Sequence, residues 1–312
     1  MKILIANRGE IAIRIMKAAA ELNETTVAIF SEDDVHSLHT RRADEAKLLD
    51  GIGPRAYLDI EQIVTVAKES GCDAIHPGYG FLSENAAFAK RCQEEAITFV
   101  GPQVETLELL GDKVQARALA ERCGIPIMSG SLQPVSLEQA REFFSTLGDN
   151  TSMMIKAVSG GGGRGMRMVK NIDELEEAYI RCQSEARAAF GNDAIYVEQF
   201  MSPARHIEVQ IIGDGTGEVV HLYERECTIQ RQNQKLVEIA PSPGLSTLLR
   251  EKLLEDAVCL AREVRYLSLG TFEFLVEAEQ DRGDTDRKEN SYAFIEANTR
   301  LQVEHTITEE VT

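Results

Sequence analysis

The first hundred residues alternate short apolar runs with stretches whose apolar positions recur at helical spacing. Ile3 to Ala6 predicts a first strand; Ile11, Ile15, Ala18 and Leu22 then predict a helix, Thr26 to Phe30 a second strand and Cys72 to Ile75 a later one. This alternation predicts a doubly wound, parallel α/β unit over residues 1–112. A helix from Lys113 to Cys123 leads to Gly124-Ile125-Pro126 and predicts a connecting segment over 113–127. A small unit over 128–200 follows, with helix Leu137 to Leu147, strands Met153 to Ala157 and Met166 to Val169, helix Ile172 to Ala189 and strand Ala194 to Phe200. From 201 to 312 the chain is strand-rich, of α+β character. Glu208 to Ile212 and Val219 to Tyr223 flank a glycine-bearing hairpin signal, a helix spans Leu248 to Arg265, and strands Thr271 to Glu277 and Tyr292 to Asn298 flank the charged stretch Ala278 to Ser291, read as a solvated loop.

Composition narrows the partners. With 33 Lys and Arg against 51 Asp and Glu, the formal charge of −18 opposes nucleic acid and anionic membrane surfaces, though a local basic pocket for a small phosphate is compatible with it. At 312 residues and 43% hydrophobic, the chain has the material for two domains, or three small ones. No run approaches the ~18 apolar residues of a membrane span, and no cleavable targeting segment is visible after Met1. Six scattered cysteines without a C-x-x-C pair predict neither a disulfide framework nor a zinc site. The expected compartment is the cytoplasm, or a mitochondrial matrix if a transit peptide has been removed.

Asn7-Arg8-Gly9-Glu10 offers a single glycine at the first strand-to-helix turn, so the dinucleotide fingerprint is missing. Ser159-Gly160-Gly161-Gly162-Gly163-Arg164-Gly165 can wrap an anion with free N–H groups, the plainer alternative being a flexible linker; it lacks the Gly-Lys-Ser/Thr of a Walker loop. Lys156 on the strand before it could neutralise phosphate, or be a solvated lysine; Lys113 could be an ordinary helix-start residue. Glu273 sits alone between Phe272 and Phe274, and an unpaired carboxylate on an apolar strand needs a cation. The period of two puts Glu296, Asn298 and Arg300 on one face, with Gln302 and Glu304 continuing the line before His305. Two carboxylates and an amide oxygen suit Mg²⁺; the plainer reading is an exposed polar strand face. The polar stretch Glu224 to Lys235 reads as a solvent-exposed turn, and His305 as structural.

Taken together, Ala6-Asn7-Arg8-Gly9-Glu10-Ile11-Ala12, His76-Pro77-Gly78-Tyr79-Gly80-Phe81-Leu82-Ser83-Glu84-Asn85, the glycine run, Glu296-Ala297-Asn298-Thr299-Arg300 and Gln302-Val303-Glu304-His305 resemble the biotin carboxylase family, in order and over the whole chain. That resemblance implies an ATP-grasp fold: the doubly wound domain, a lid over 128–200 that closes on ATP, and a metal and bicarbonate domain from 201. It implies carboxylation of carrier-bound biotin using ATP, Mg²⁺ or Mn²⁺, and bicarbonate. Lys113, Lys156, Gly162, Gly163 and His206 would then contact phosphates or ribose, Glu198, Gln199 and Met201 would line the adenine pocket, and Gln230 would join the nucleotide site. Glu273, Glu296 and Asn298 would hold the metal. Lys235, Arg300, Gln302 and Val303 would bind bicarbonate, with Glu304 the general base and Arg300 and Lys235 catalytic. Implied partners are a biotin carboxyl carrier protein or domain and a carboxyltransferase component, and the full-length domain could form a homo-oligomer.

The sequence departs from the family pattern at Ser159, Gln232 and Asn233, where glycine, arginine and histidine are common. Thr306 to Thr312 reads as a helix start with an acidic first turn, cut off before the helix can form, and the resemblance implies that a complete domain continues past Thr312, with a further biotin-directed arginine and much of the dimer surface. The alternatives are another ATP-grasp ligase, of carbamoyl-phosphate or peptide type, and a shortened chain that binds ATP without turnover.

Overall fold

The computed structural model describes residues 1–148, 151–158, 165–232, 234–278 and 292–312. Its first unit runs β1 (Lys2–Ile5), α1 (Gly9–Glu21), β2 (Thr25–Phe30), β3 (Glu45–Leu48), α2 (Ile60–Glu69), β4 (Ala74–His76), α3 (Ala86–Glu94) and β5 (Thr98–Phe99). The strands form a parallel sheet in the order β3-β2-β1-β4-β5. Leu4, Ile5, Val27, Ala28 and Ile29 are all buried, as a sheet covered on both faces requires. Helix α1 buries Ile11, Ala12, Ile15, Met16 and Ala19; Leu22, counted in the predicted stripe, is exposed because the helix ends at Glu21. The loops after β1 and β4 are stitched together where the strand order reverses: the Asn7 carboxamide donates to the carbonyls of Pro77 (2.7 Å) and Tyr79 (2.8 Å). Gly78 makes this approach feasible, since at φ +65° a Cβ would stand 2.9 Å from Asn7 Nδ2.

Helices α4 (Val104–Gly111) and α5 (Lys113–Arg122) follow, the second capped by Asp112, which accepts from the backbone of Val114 and Gln115. Leu110, Ala116, Leu119, Ala120 and Ile125 share one core with the sheet of the last unit, so the connecting helix is a packing element of that unit.

The small unit contains α6 (Leu137–Thr146), β6 (Met153–Ala157), β7 (Met166–Val169), α7 (Leu175–Phe190) and β8 (Ile195–Gln199), with antiparallel order β7-β6-β8. The helix predicted from Ile172 opens instead as a short 3-10 turn, Ile172–Glu174, before α7 begins. The strands' inward residues Met153, Ile155, Ala157, Val169, Ile195 and Val197 pack on Leu175, Tyr179 and Cys182.

The last unit comprises β9 (Ala204–Asp214), β10 (Val219–Arg231), β11 (Gln234–Ile239), α8 (Thr247–Glu263), β12 (Leu267–Glu277), β13 (Tyr292–Asn298) and α9 (His305–Val311). Its antiparallel sheet has the order β11-β10-β9-β12-β13. Two expectations are corrected here. The Glu224 to Lys235 stretch is not simply an exposed turn: its described residues form the end of β10 and the start of β11, with Glu224 and Arg225 buried because Glu224 is held by Arg250 and the Ser242 N–H, and Arg225 by Glu208 on the neighbouring strand. The C-terminal residues do form a helix, α9, held by Arg14 to Glu309 (3.1 Å) and Arg225 to Thr308 (2.8 Å). The stretch read as a solvated loop lies outside the described residues beyond Ala278. Among the described residues no helix is long and apolar enough to cross a membrane.

Candidate active site

Strand register builds the site. Glu273 on β12 is the direct partner of Glu208 on β9 and of Glu296 on β13, so three carboxylates stand in a row across neighbouring strands. Like charges so opposed destabilise a sheet unless cations are interleaved. Lys113, at the start of α5, reaches Glu296 at 2.6 Å. Glu273 receives His206 Nε2 at 2.7 Å and Lys235 Nζ at 3.1 Å, while Glu208 pairs with Lys235 and with Arg225.

The ionisation states follow. Burial raises the carboxyl pKa of Glu273, but Lys235 and His206 overcome it and hold it down to about 2. For Glu296, burial is likewise overcome by Lys113, again to about 2. Burial lowers the His206 and Lys235 pKa values, and the surrounding carboxylates more than reverse this. Gln230 Nε2 lies 2.7 Å from His206 Nδ1, while His206 Nε2 faces Glu273 Oε2 at 2.7 Å.

Arg300 lies just past the end of β13. It bonds Glu84 of the first unit (2.8 Å), Gln302 Oε1 (2.8 Å) and Asn298 Oδ1 (3.3 Å). Gln302 and Glu304 do not continue the strand; they sit in the turn before α9, yet both face the site, Gln302 Nε2 toward Glu273 (3.4 Å) and Glu304 Oε1 toward Lys235 Nζ (2.6 Å). Val303 between them is exposed. His305 is buried and bridges Glu10 (3.2 Å) and Glu309 (2.6 Å), in keeping with its structural reading.

On the lid side, Lys156 of β6 pairs with Glu198 of β8, which Arg117 also holds at 3.0 Å. Gln199, Phe200 and Met201 leave β8 and join Met154, Met166, Leu275 and Ile295 around a cavity of ≈ 290 Å³ whose polar wall is Lys156, Glu198, His206, Gln230, Lys235, Glu273, Glu296, Asn298, Arg300 and Gln302. Apolar side chains at one end and paired charges at the other suit a nucleotide. A larger surface groove of ≈ 570 Å³ runs along α8, but the charged residues lining it form no ion pair among the described residues. Gly162 and Gly163 lie outside the described residues.

The donor set suits a hard divalent cation. Glu273 and Glu296 are ionised oxygens on adjacent strands. Asn298 turns its amide nitrogen to Glu273 (2.7 Å) and its oxygen to Arg300, so a half-turn of the amide is needed for the oxygen to serve. Among the described residues two other groups have ligand atoms within 4.8 Å of one another: His206, Glu208 and Glu273, and Glu208, Cys227 and Glu304. They suit a cation less well, because Glu208 is already held by Arg225 and Lys235 and burial pushes the Cys227 thiol upward.

Glu84, Glu208, Arg117 and Arg225 were missing from the sequence-derived site. Glu208 carried the same signal as Glu273, a lone carboxylate between Ile207 and Val209. The others have partners far off in the chain that no local pattern shows.

A sheet of opposed carboxylates under a small antiparallel lid, with a cavity between, defines an ATP-grasp nucleotide site. The family description "Carbamoyl-phosphate synthase L chain, ATP binding domain" matches residues 112–312, and "Biotin carboxylase, N-terminal domain" matches residues 1–107. Pyruvate carboxylase of Bacillus subtilis is 53% identical over 314 residues, and the mitochondrial pyruvate carboxylase of Rattus norvegicus 52%. All of this chain is covered in both, but only 26% of each relative, so the chain spans about a quarter of their length. The biotin carboxylase of Campylobacter jejuni, solved with βγ-ATP, superposes with a TM-score of 0.93 at 41% identity, covering 100% of this chain and 68% of that one. The biotin carboxylase domain of Hydrogenobacter thermophilus 2-oxoglutarate carboxylase, solved with MgADP, ADP and bicarbonate, gives 0.93 at 43% identity, covering 100% and 66%. The chain belongs to the biotin carboxylase family.

Proposed function

We propose that this chain is the ATP- and bicarbonate-handling part of a longer biotin-dependent carboxylase, forming carboxyphosphate and passing its CO₂ to biotin on a carrier. The observation that carries the reading is the joint placement of the Glu208-Glu273-Glu296 row, its interleaved cations, and Arg300, Gln302 and Glu304 at one end of the cavity.

Glu273 and Glu296, with Asn298 once its amide turns, would hold Mg²⁺ or Mn²⁺, which when bound supplies charge neutralisation to the triphosphate. Lys113 and Lys156 exchange Glu296 and Glu198 for phosphate oxygens, while Glu198, Gln199 and Met201 flank the adenine and His206 and Gln230 the sugar or phosphates. By the family resemblance, the N–H groups of Gly162 and Gly163 would contact the phosphates. Lys235, Arg300, Gln302 and the chain at Val303 hold bicarbonate, and Glu304 accepts its proton. The bicarbonate oxygen then attacks the γ-phosphorus and ADP leaves; carboxyphosphate splits into CO₂ and phosphate, and the ureido nitrogen of biotin bonds the CO₂ carbon as its N–H proton passes to the released phosphate. The lid of residues 128–200, closed on ATP, would exclude water from that intermediate.

The partners proposed are a biotin carboxyl carrier domain, a carboxyltransferase component and, for the complete domain, a second copy of itself, in the cytoplasm or a mitochondrial matrix. A second reading, carbamoyl-phosphate chemistry, draws on the family match over residues 112–312; the match over residues 1–107 and the pyruvate carboxylase relatives favour biotin. Phosphate release from ATP by the full-length protein tests the proposal. Bicarbonate should be required and free biotin should stimulate. Stimulation by ammonia in place of biotin supports the second reading, and release that ignores bicarbonate rejects both.

A further inference from the structure

Arg225 has no exposed surface, and its guanidinium joins three strands and a helix. Nε donates to Glu208 Oε1 (2.5 Å), Nη1 to Gln210 Oε1 (2.9 Å) and to Thr308 Oγ1 of α9 (2.8 Å), and Nη2 to Thr271 Oγ1 (3.3 Å). Arg225 is not part of the cavity wall. Glu208, its anionic partner, spends the other oxygen on Lys235, which does line the cavity. Lys235 is thus shared among Glu208, Glu273 at 3.1 Å and Glu304 at 2.6 Å.

The sharing depends on Arg225. A fully buried carboxylate left with a single cation takes as much of that cation as geometry allows. Without Arg225, both oxygens of Glu208 would compete for Lys235 and draw it from Glu304, and the pocket would lose one positive charge while keeping all its carboxylates. Both changes oppose entry of an anion. The nucleotide end has its own cations, Lys113 and Lys156, on other elements.

We propose that Arg225 is a positioning residue for the anion end of the site: by neutralising half of Glu208 it sets Lys235 between Glu273 and Glu304, and through Thr308 it fixes the α9 segment that follows Glu304. This rests on the reading of that end as the bicarbonate subsite.

The test is steady-state ATP cleavage by the full-length protein with bicarbonate and ATP varied separately, for wild type, Arg225→Lys and Thr308→Val, together with MgADP binding by calorimetry. Lysine keeps the charge but loses the fork. For Arg225→Lys the bicarbonate KM should rise roughly tenfold while MgADP affinity stays within about threefold, and for Thr308→Val the same split should appear at roughly threefold. Both variants showing unchanged bicarbonate KM, with only melting temperature and active fraction lowered, would mean that Arg225 is purely structural and would overturn the inference. If Arg225→Lys does not fold, Thr308→Val decides by the same criterion. A wild type whose ATP cleavage ignores bicarbonate overturns the functional reading and this inference with it; a bicarbonate-dependent wild type with unmoved variants overturns this inference alone.

Discussion

Glu273 and Glu296 are direct cross-strand partners on β12 and β13, two carboxylates on one face at neighbouring positions, both held ionised at about 2. A sheet tolerates this pairing because Lys113 takes one carboxylate and His206 with Lys235 the other. The same lysines are the groups that would meet phosphate and bicarbonate. The site therefore exists beforehand as a set of ion pairs, within which, on the proposed function, ligand binding would exchange partners.

Metal dependence follows from that exchange. Nucleotide affinity should be higher with Mg²⁺ than with chelator, and Glu296→Gln, which removes one ligand charge, should lower the Mg²⁺-dependent affinity by roughly tenfold. Calorimetry with Mg²⁺ and with chelator measures both. Equal affinity in the two conditions would remove Glu273 and Glu296 from the metal role.

Arg300 gives a different signature. Its guanidinium is fixed by Glu84, 216 residues away in the chain, and by Gln302 and Asn298. In the full-length protein, Arg300→Ala should reduce biotin-dependent turnover by at least ~100-fold while sparing ATP binding, because its charge acts on the developing anion. Glu84→Gln, which loses the ion pair and leaves one acceptor oxygen for the Thr299 and Arg300 N–H groups that the two carboxylate oxygens now serve, should have a smaller effect in the same direction. Near-normal turnover in Arg300→Ala would take it out of the catalytic role.

Acid stability should report the carboxylate pair. Burial alone would raise both pKa values; the neighbouring cations bring them to about 2, below the ordinary 4.5. Since the folded values are depressed, the stabilisation is complete above about 4.5 and is withdrawn as pH falls toward 2. Protection of the β12 and β13 amides, taken relative to the intrinsic exchange rate at each pH, should fall across that window, and less steeply in a Glu273→Gln, Glu296→Gln double variant. Identical slopes in the two proteins would show that these groups are not the acid-labile ones.

The row of polar side chains on β12 and β13 was legible because a strand's alternation is local: Phe272-Glu273-Phe274 and Glu296-Ala297-Asn298 declare their polar side within a few residues. The plain reading of Glu224 to Lys235 as an exposed turn failed because its charge density resembles one, and the partners that let Glu224 and Arg225 be buried, Arg250 and the Ser242 backbone for one and Glu208 for the other, lie on separate elements. Gln302 and Glu304 reach the site from a turn, where no strand periodicity applies. The pairs Arg300 with Glu84 and Arg117 with Glu198 join residues 216 and 81 positions apart, and such closures are set by tertiary packing.

The central claim is that bicarbonate attacks the γ-phosphorus, and oxygen transfer tests it most directly. With ¹⁸O-labelled bicarbonate, the full-length protein cleaving ATP should release phosphate carrying one bicarbonate oxygen, because carboxyphosphate keeps the attacking oxygen on phosphorus when CO₂ departs. Phosphate whose new oxygen comes from water, under conditions where bicarbonate still accelerates cleavage, would contradict the account.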